Sequence, residues 1–309
     1  MTVSHFLAIA DVPAERIRAL LDRAAQLKAA RRSGAIPLRG RSLVQIFEKP
    51  SLRTRLSFDV AMAELGGHCT YLSPAEVGLG RRESVSDVAR VVARMVDAVV
   101  LRTYAHETIE EFARHSTVPV VNGLSDLEHP CQALADVFTV RERKGLGNSV
   151  RAAYIGDGNN VANSLMLCAA KAGLSLHVAS PAGYGPQPRV VELAREAAER
   201  TGATIEVGHD PERAAAGADV LYTDVWTSMG QEAEYERRRR AFQGFQVNRA
   251  LLARAKPDAI VMHDLPAHRG EEITDEVLDG PQSAVFEQAE NRLHAQKAVL
   301  CWLLAEGEG

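Results

Sequence analysis

Ser42-Leu-Val-Gln-Ile-Phe47-Glu-Lys-Pro50-Ser-Leu-Arg-Thr-Arg-Leu-Ser-Phe58 is a short apolar run, a proline, and the opening of a helix. Ser42 to Phe47 reads as a strand because it is short and apolar and ends at a breaker. Pro50 has no N–H to give to a ladder. Ser51 can cap the next segment, and Thr54 to Leu65 reads as a helix. The same rhythm extends both ways. Upstream, Ile17, Leu20, Leu21, Ala24 and Leu27 mark an amphipathic helix after Asp11-Val-Pro13. Downstream, Asp97 to Leu101 and Val118 to Val121 read as strands, with helices between and after them. Lys144-Gly-Leu-Gly-Asn148 interrupts the pattern after the helical stretch Gln132 to Arg143. Strands then return at Arg151 to Ile155, Leu174 to Ala179, Thr204 to Val207, Val220 to Asp224 and Ala259 to Met262. Alternating strands and helices are the signature of parallel sheets covered by helices on both faces. The expectation is two parallel-sheet α/β domains, residues 1–145 and 146–285. The long helix Val285 to Leu304, which carries the chain into a last segment 286–309, is expected to cross back to the first domain.

With 309 residues, 46% hydrophobic and only 5% aromatic, the chain can bury a large aliphatic core. Its 36 Lys+Arg against 40 Asp+Glu leave a charge of −4, without the basic surplus a nucleic-acid partner needs. No apolar run approaches the ~20 residues that span a bilayer, so no membrane partner is expected. Phe6 to Ala10 is too short, and too soon followed by Asp11 and Glu15, for a signal peptide. Cys69, Cys131, Cys168 and Cys301 lack paired spacing and read as reduced thiols, which suggests a cytoplasmic protein. The run Arg237 to Arg240 reads as solvated surface, neutralised by Glu232, Glu234 and Glu236.

Arg53 and Arg55 stand in the first turn of the helix after Pro50, where cations are disfavoured by the dipole. They make sense there if an anion neutralises them, since a guanidinium grips phosphate or carboxylate through two parallel bonds. The bland alternative is a pair of surface arginines matched to Glu48 and Asp59. Ile155-Gly-Asp-Gly-Asn-Asn160 after a strand invites a dinucleotide reading, but Val161 replaces the third glycine and no ribose-binding acid stands out. His263, His268 and His294 lack ligand spacing, with Pro266 between the first two. Neither cofactor nor metal is expected.

Ser51-Leu-Arg-Thr-Arg55 resembles the carbamoyl-phosphate loop of the aspartate/ornithine carbamoyltransferase family. Four further stretches resemble the family's motifs, in its ornithine branch and in its order: Asn122 to Asp136 with His129-Pro-Cys-Gln132, Thr223 to Gly230 with Ser228-Met-Gly230, His263-Asp-Leu-Pro266, and Glu290-Asn-Arg292-Leu-His294. The resemblance implies a transferase with two domains flanking a cleft, and a homotrimer or a multiple of trimers. Carbamoyl phosphate and L-ornithine would be its substrates, and citrulline for arginine biosynthesis its product. It assigns Ser51, the backbone of Leu52, Arg53, Thr54 and Arg102 to the phosphate. His129, Gln132 and Arg292 go to the carbonyl side, and Asn160, Asp224, Ser228, Met229 and Leu265 to the amino acid. A histidine before Pro130 at a helix start is expected to be neutral, through the helix dipole.

Three positions depart from the pattern. Leu52 replaces a Thr that binds through its backbone. Gly78 replaces a Gln or His, which removes a polar contact worth roughly 0.5–1.5 kcal/mol, and Arg81 or Arg82 could replace it in part. Asp264 replaces the cysteine beside the attacking amine and enters the catalytic set. A carboxylate there could hold the amine protonated, take its proton, or select a related amino acid or diamine. With Gly78 it also raises the alternative of an impaired protein that binds carbamoyl phosphate without turning it over.

Overall fold

The computed structural model describes residues 3–31, 34 and 36–305. The chain forms two compact units, one of residues up to 135 and from 291 onward, the other of residues 136–290. The division between these units falls inside the helix Pro130–Lys144.

The first unit holds a four-stranded sheet in the order β2-β1-β3-β4, with β1 Ser42–Phe47, β2 His68–Leu72, β3 Ala98–Arg102 and β4 Val120–Leu124. All its pairings are parallel. β1 and β3 are covered on both faces and are almost continuously buried, as interior parallel strands must be. The helices Ala14–Ala29, Leu52–Leu65, Val85–Val92 and His106–His115 belong to this unit. Val44, Ile46, Val88, Val99, Leu101, Ile109 and Phe112 form its core.

The second unit repeats the design with five parallel strands in the order β7-β6-β5-β8-β9. These are β5 Arg151–Ile155, β6 Ser175–Ala179, β7 Ile205–Gly208, β8 Val220–Thr223 and β9 Ile260–His263. The expected parallel α/β architecture is therefore present in both units. The final helix, Val285–Leu304, begins in the second unit, where both oxygens of Glu287 accept from Arg143 at 2.9 Å. Its later part belongs to the first, held there by Lys28 on Asn291 (2.9 Å) and by the Lys297–Glu64 ion pair.

In each sheet the chain order reverses at one place, between β1 and β3 in the first and between β5 and β8 in the second. Ligands of open α/β sheets bind beyond the carboxyl ends of the strands at such a switch point.

Candidate active site

In the first unit, Ser51 caps the helix Leu52–Leu65 by accepting the Thr54 N–H at 3.3 Å. This places Ser51 to Thr54 just past the end of β1. Arg102 ends β3 directly beside it, with Phe47 and Arg102 in register. The carbonyl of Arg102 accepts the Glu48 N–H at 2.7 Å. Thr54, fully buried, accepts at Oγ1 from Ser51 (3.0 Å) and from the guanidinium of Arg292 (2.6 Å). So the last helix delivers Arg292 to the first. Leu52, the first residue of the helix Leu52–Leu65, is 74% exposed.

His129 stands at the start of the helix Pro130–Lys144, its carbonyl accepting from Gln132 and Ala133 at 3.1 Å. The preceding loop is tied to the chain's first residues by hydrogen bonds. Asn122 donates to the Leu7 carbonyl (2.8 Å), and buried Glu128 accepts the Ile9 N–H (2.8 Å). A bulge between Leu101 and Arg102 against β4 offsets the strand ends here, where bulges commonly re-aim side chains. Burial holds the His129 imidazole well below its usual range, and Arg292, Arg102 and Arg53 push the same way. Its neutrality matches the expectation, but the leading causes are burial and three cations, not the helix dipole. Cys131 behind it is a buried thiol pushed up to about 12 by desolvation, against the pull of Arg292. Ser51, Arg53, Thr54, Arg102, His129 and Arg292 thus form one cationic cluster at the switch point of the first sheet.

In the second unit, Asp224 follows β8. Its carboxylate accepts from Asn159 (Oδ2, 2.7 Å) and from the Val225 N–H (Oδ1, 2.7 Å). Asn159 makes a link to it: the Asn159 Oδ1 caps the helix Asn160–Ala172 while its amide N–H reaches Asp224. The preference of Asn for N-caps could have singled it out. Asn160 is the first residue of that helix and accepts the Val161 N–H at 3.1 Å. Gly158 is required here because a Cβ would lie 2.1 Å from the Pro186 nitrogen. The Gly-Asp-Gly turn is shaped to pack against residues 184–186.

Asp264 follows β9. One oxygen of Asp264, one of Asp224 and a ring nitrogen of His263 lie within 4.8 Å of one another. His263 has both ring nitrogens engaged: Nε2 donates to buried Glu272 (2.9 Å) and Nδ1 accepts the Leu265 N–H (2.9 Å). Its backbone N–H goes to Gln288 (2.8 Å), which in turn donates to Asp136 (2.7 Å). Leu265 takes a left-handed φ of 59°, a strained conformation for a residue with a branched side chain, and strain of this kind gathers at functional sites. Burial raises the Tyr154 and Tyr222 hydroxyls well above their usual range, and Asp136, Asp224 and Asp264 add to it. The switch point of the second sheet is therefore anionic, where that of the first is cationic. Glu272 and Gln288 lie outside the motif positions read from the sequence, and Asp136 closes one of those motifs without a role read for it. Ser228 and Met229 lie on the loop after β8, half-buried and exposed respectively.

Two surface readings change. Arg238, read as solvated, is 7% exposed and donates to Asp157 (2.9 Å), the Trp226 carbonyl (3.0 Å) and Glu234 (3.0 Å). Burial pushes Asp157 from 3.8 up to about 6, against the pull of Arg238 and with the help of Asp224 and Glu234. A carboxyl raised on folding stabilises the native state below its unfolded value and loses that contribution as pH rises through the folded value. The contribution is about 3 kcal/mol, lost between pH 3.8 and about 6. Asp157→Asn should abolish this slope, so the unfolding free energy of the variant relative to the parent should climb from pH 4 to 6. Denaturant titrations at stepped pH measure it.

Gly78 is the second. It ends the helix Pro74–Val77 at φ 60°, and a Cβ would sit 2.8 Å from that of Arg82. The position is built for glycine, whatever polar contact it forgoes. Arg82 turns to Glu83 (4.0 Å) and the Glu76 carbonyl (3.5 Å), while Arg81 lines a cavity of about 200 Å³ with Glu48 and Tyr104. Gly78→Gln should cost about 1–2 kcal/mol from the left-handed backbone alone, read as a lowered denaturation midpoint.

Residues 4–142 match the family described as aspartate/ornithine carbamoyltransferase, carbamoyl-P binding domain, and residues 148–303 match its Asp/Orn binding domain. The chain belongs to the aspartate/ornithine carbamoyltransferase family. Among its relatives, the ornithine carbamoyltransferase of Acidothermus cellulolyticus is 59% identical over 99% of this chain and 98% of its own length. The anabolic ornithine carbamoyltransferase of Pyrococcus furiosus is 52% identical over 96% and 95%. A solved structure of ornithine carbamoyltransferase from that organism superposes with a TM-score of 0.94 at 51% identity, covering 99% of this chain and 97% of that one.

Proposed function

We propose that the chain transfers the carbamoyl group of carbamoyl phosphate to the δ-amine of L-ornithine, giving L-citrulline and phosphate, in the direction of arginine synthesis. The observation that carries this is the opposite charge of the two switch points: a cationic one suited to a phosphorylated acyl donor, an anionic one suited to a diamino acid. Ser51, the Leu52 N–H, Arg53, Thr54 and Arg102 hold the phosphate through backbone and guanidinium donors. Neutral His129, Gln132 and Arg292 donate to the carbonyl oxygen as the amine adds and negative charge develops there. The C–O bond to phosphate then breaks, and the phosphate leaves with its electron pair.

Asp224 takes the α-ammonium, with Asn160, Ser228, Met229 and Leu265 around the amino acid. Asp264 draws in the δ-ammonium, which must lose its proton before attack. A carboxylate within about 4 Å of an amine raises its pKa by about one unit or more. Asp264→Asn should therefore move the rising limb of kcat/KM for ornithine toward lower pH by about a unit; an unmoved limb would place Asp264 away from the amine. Glu272 and Gln288 position His263 and the turn that carries Asp264.

The substrate is tested by steady-state product formation with ornithine and with amines differing by one methylene or lacking the carboxylate. Turnover of another amine and none of ornithine overturns the assignment in favour of the related-amine reading that Asp264 suggests. No described helix is long and apolar enough to cross a membrane, and we place the protein in the cytoplasm. We also propose a homotrimer or a multiple of trimers, supported by large apolar side chains left exposed on the first unit, including Leu52 (74%) and Met95 (75%).

A further inference from the structure

Apart from Asn160, the turn Gly156–Asn160 has no role in the proposed reaction, yet its side chains reach both halves of the amino-acid site. Through Asn159 it holds Asp224. Through Asp157 it holds Arg238, and Arg238 holds the loop that carries Ser228 and Met229. The guanidinium grips that loop at both ends: Nη1 donates to the Trp226 carbonyl at 3.0 Å, and Nε donates to Glu234 at 3.0 Å. Between those anchors the chain closes on itself, with the Ser228 N–H on the Gln231 side chain (3.1 Å) and the Gln231 N–H on the Ser228 carbonyl (3.0 Å).

What fixes the guanidinium itself is a packed setting. Asp157, 5% exposed, accepts from Nη1 at 2.9 Å. The ring of Tyr184 lies 5.1 Å from the guanidinium carbon, and the Tyr184 carbonyl accepts the Gly158 N–H at 2.8 Å. Tyr184 and Trp226 both pack on Phe242, at 5.1 and 5.7 Å. A buried guanidinium that loses its carboxylate does not stay in place, because an unpaired charge in such a setting is costly. It would follow Glu234, the more exposed of its two acids, and release the Trp226 carbonyl.

We propose that Asp157 is a positioning residue: it clamps Arg238 across the two ends of the 226–234 segment and so sets where Ser228 and Met229 meet the amino acid. The proposal rests on the reading of those two residues as substrate contacts. It also accounts for the Gly-Asp-Gly turn without a nucleotide.

The test is a double-mutant cycle on the full chain, read as KM for ornithine and kcat, with carbamoyl-phosphate affinity by calorimetry and thermal midpoint alongside. Asp157→Ala should raise KM for ornithine about tenfold or more and leave carbamoyl-phosphate affinity within about twofold; Asp157→Asn should fall between. Ser228→Ala should raise KM by itself, and adding it to Asp157→Ala should change little further, since the loop is already displaced. Arg238→Lys, which keeps the charge but not the fork, should reproduce both the rise and the non-additivity, and it carries the test if Asp157→Ala does not fold. A lowered midpoint with unchanged KM, or effects that simply multiply, would overturn the proposal. If Ser228→Ala leaves KM unchanged, the reading of the loop as a substrate contact fails, and the proposal falls with it for that separate reason.

Discussion

Arg292→Ala is expected to lower kcat for carbamoyl transfer by about 10²–10³-fold, the loss typical of one preorganised donor at a developing oxyanion. Three features put the effect at this size. The side chain is 3% exposed, so its charge acts in a medium of low polarity. Its 2.6 Å bond to Thr54 fixes the guanidinium against the turn capped by Ser51. It is also the first of the three cations that hold the imidazole of His129 neutral. Arg292→Lys should recover only part of the rate, because an ammonium keeps the charge without the fork. Rapid-quench or steady-state rates at saturating substrates check both variants. A fall in carbamoyl-phosphate affinity with kcat preserved would move Arg292 from the reacting carbonyl to the phosphate.

Asp224→Asn is expected to raise KM for ornithine by about 10–100-fold and to leave carbamoyl-phosphate affinity unchanged. A hydrogen bond to a charged group contributes about 1.5–3 kcal/mol, which corresponds to that range. The carboxylate is already oriented by Asn159 and by the Val225 N–H, so little side-chain freedom remains to be lost on binding. An asparagine keeps the shape and one acceptor but cannot attract the ammonium. Its amide would also face the Asn159 donor, which sits 2.7 Å from the present carboxylate. Titrating each substrate separately by calorimetry distinguishes this from general damage to the site, which would affect both.

The parts of the molecule legible in the sequence are those in which local chemistry and tertiary role agree. β1 and β5 are short, mostly apolar runs followed by a proline or a glycine, and they occupy the residues expected. β2, His68–Leu72, carries no such signal because it lies at the edge of its sheet and alternates exposed with half-buried residues, two of them polar. The anion reading is legible at Arg53, which joins the charges around His129, whereas Arg55 follows the surface alternative, half exposed, 3.9 Å from Asp59 and 4.1 Å from the Tyr71 ring. The buried polar partners of His263 are not legible. Glu272 and Gln288 look like ordinary polar residues until the fold buries both against His263. Arg238 stands in a run of four arginines with acids at helical spacing, and only the approach of Asp157 shows that it faces inward. Gly78 reads as a lost side chain in the sequence and as a required left-handed helix end in the structure.

The decisive measurement is simultaneous quantification of citrulline and phosphate from carbamoyl phosphate and ornithine, with and without the amine. A carbamoyltransferase acting on ornithine gives equal amounts of the two products, dependent on ornithine and nearly abolished in Arg292→Ala. Phosphate released without citrulline, or carbamoyl phosphate bound in a calorimeter with no amine turned over, would contradict that assignment.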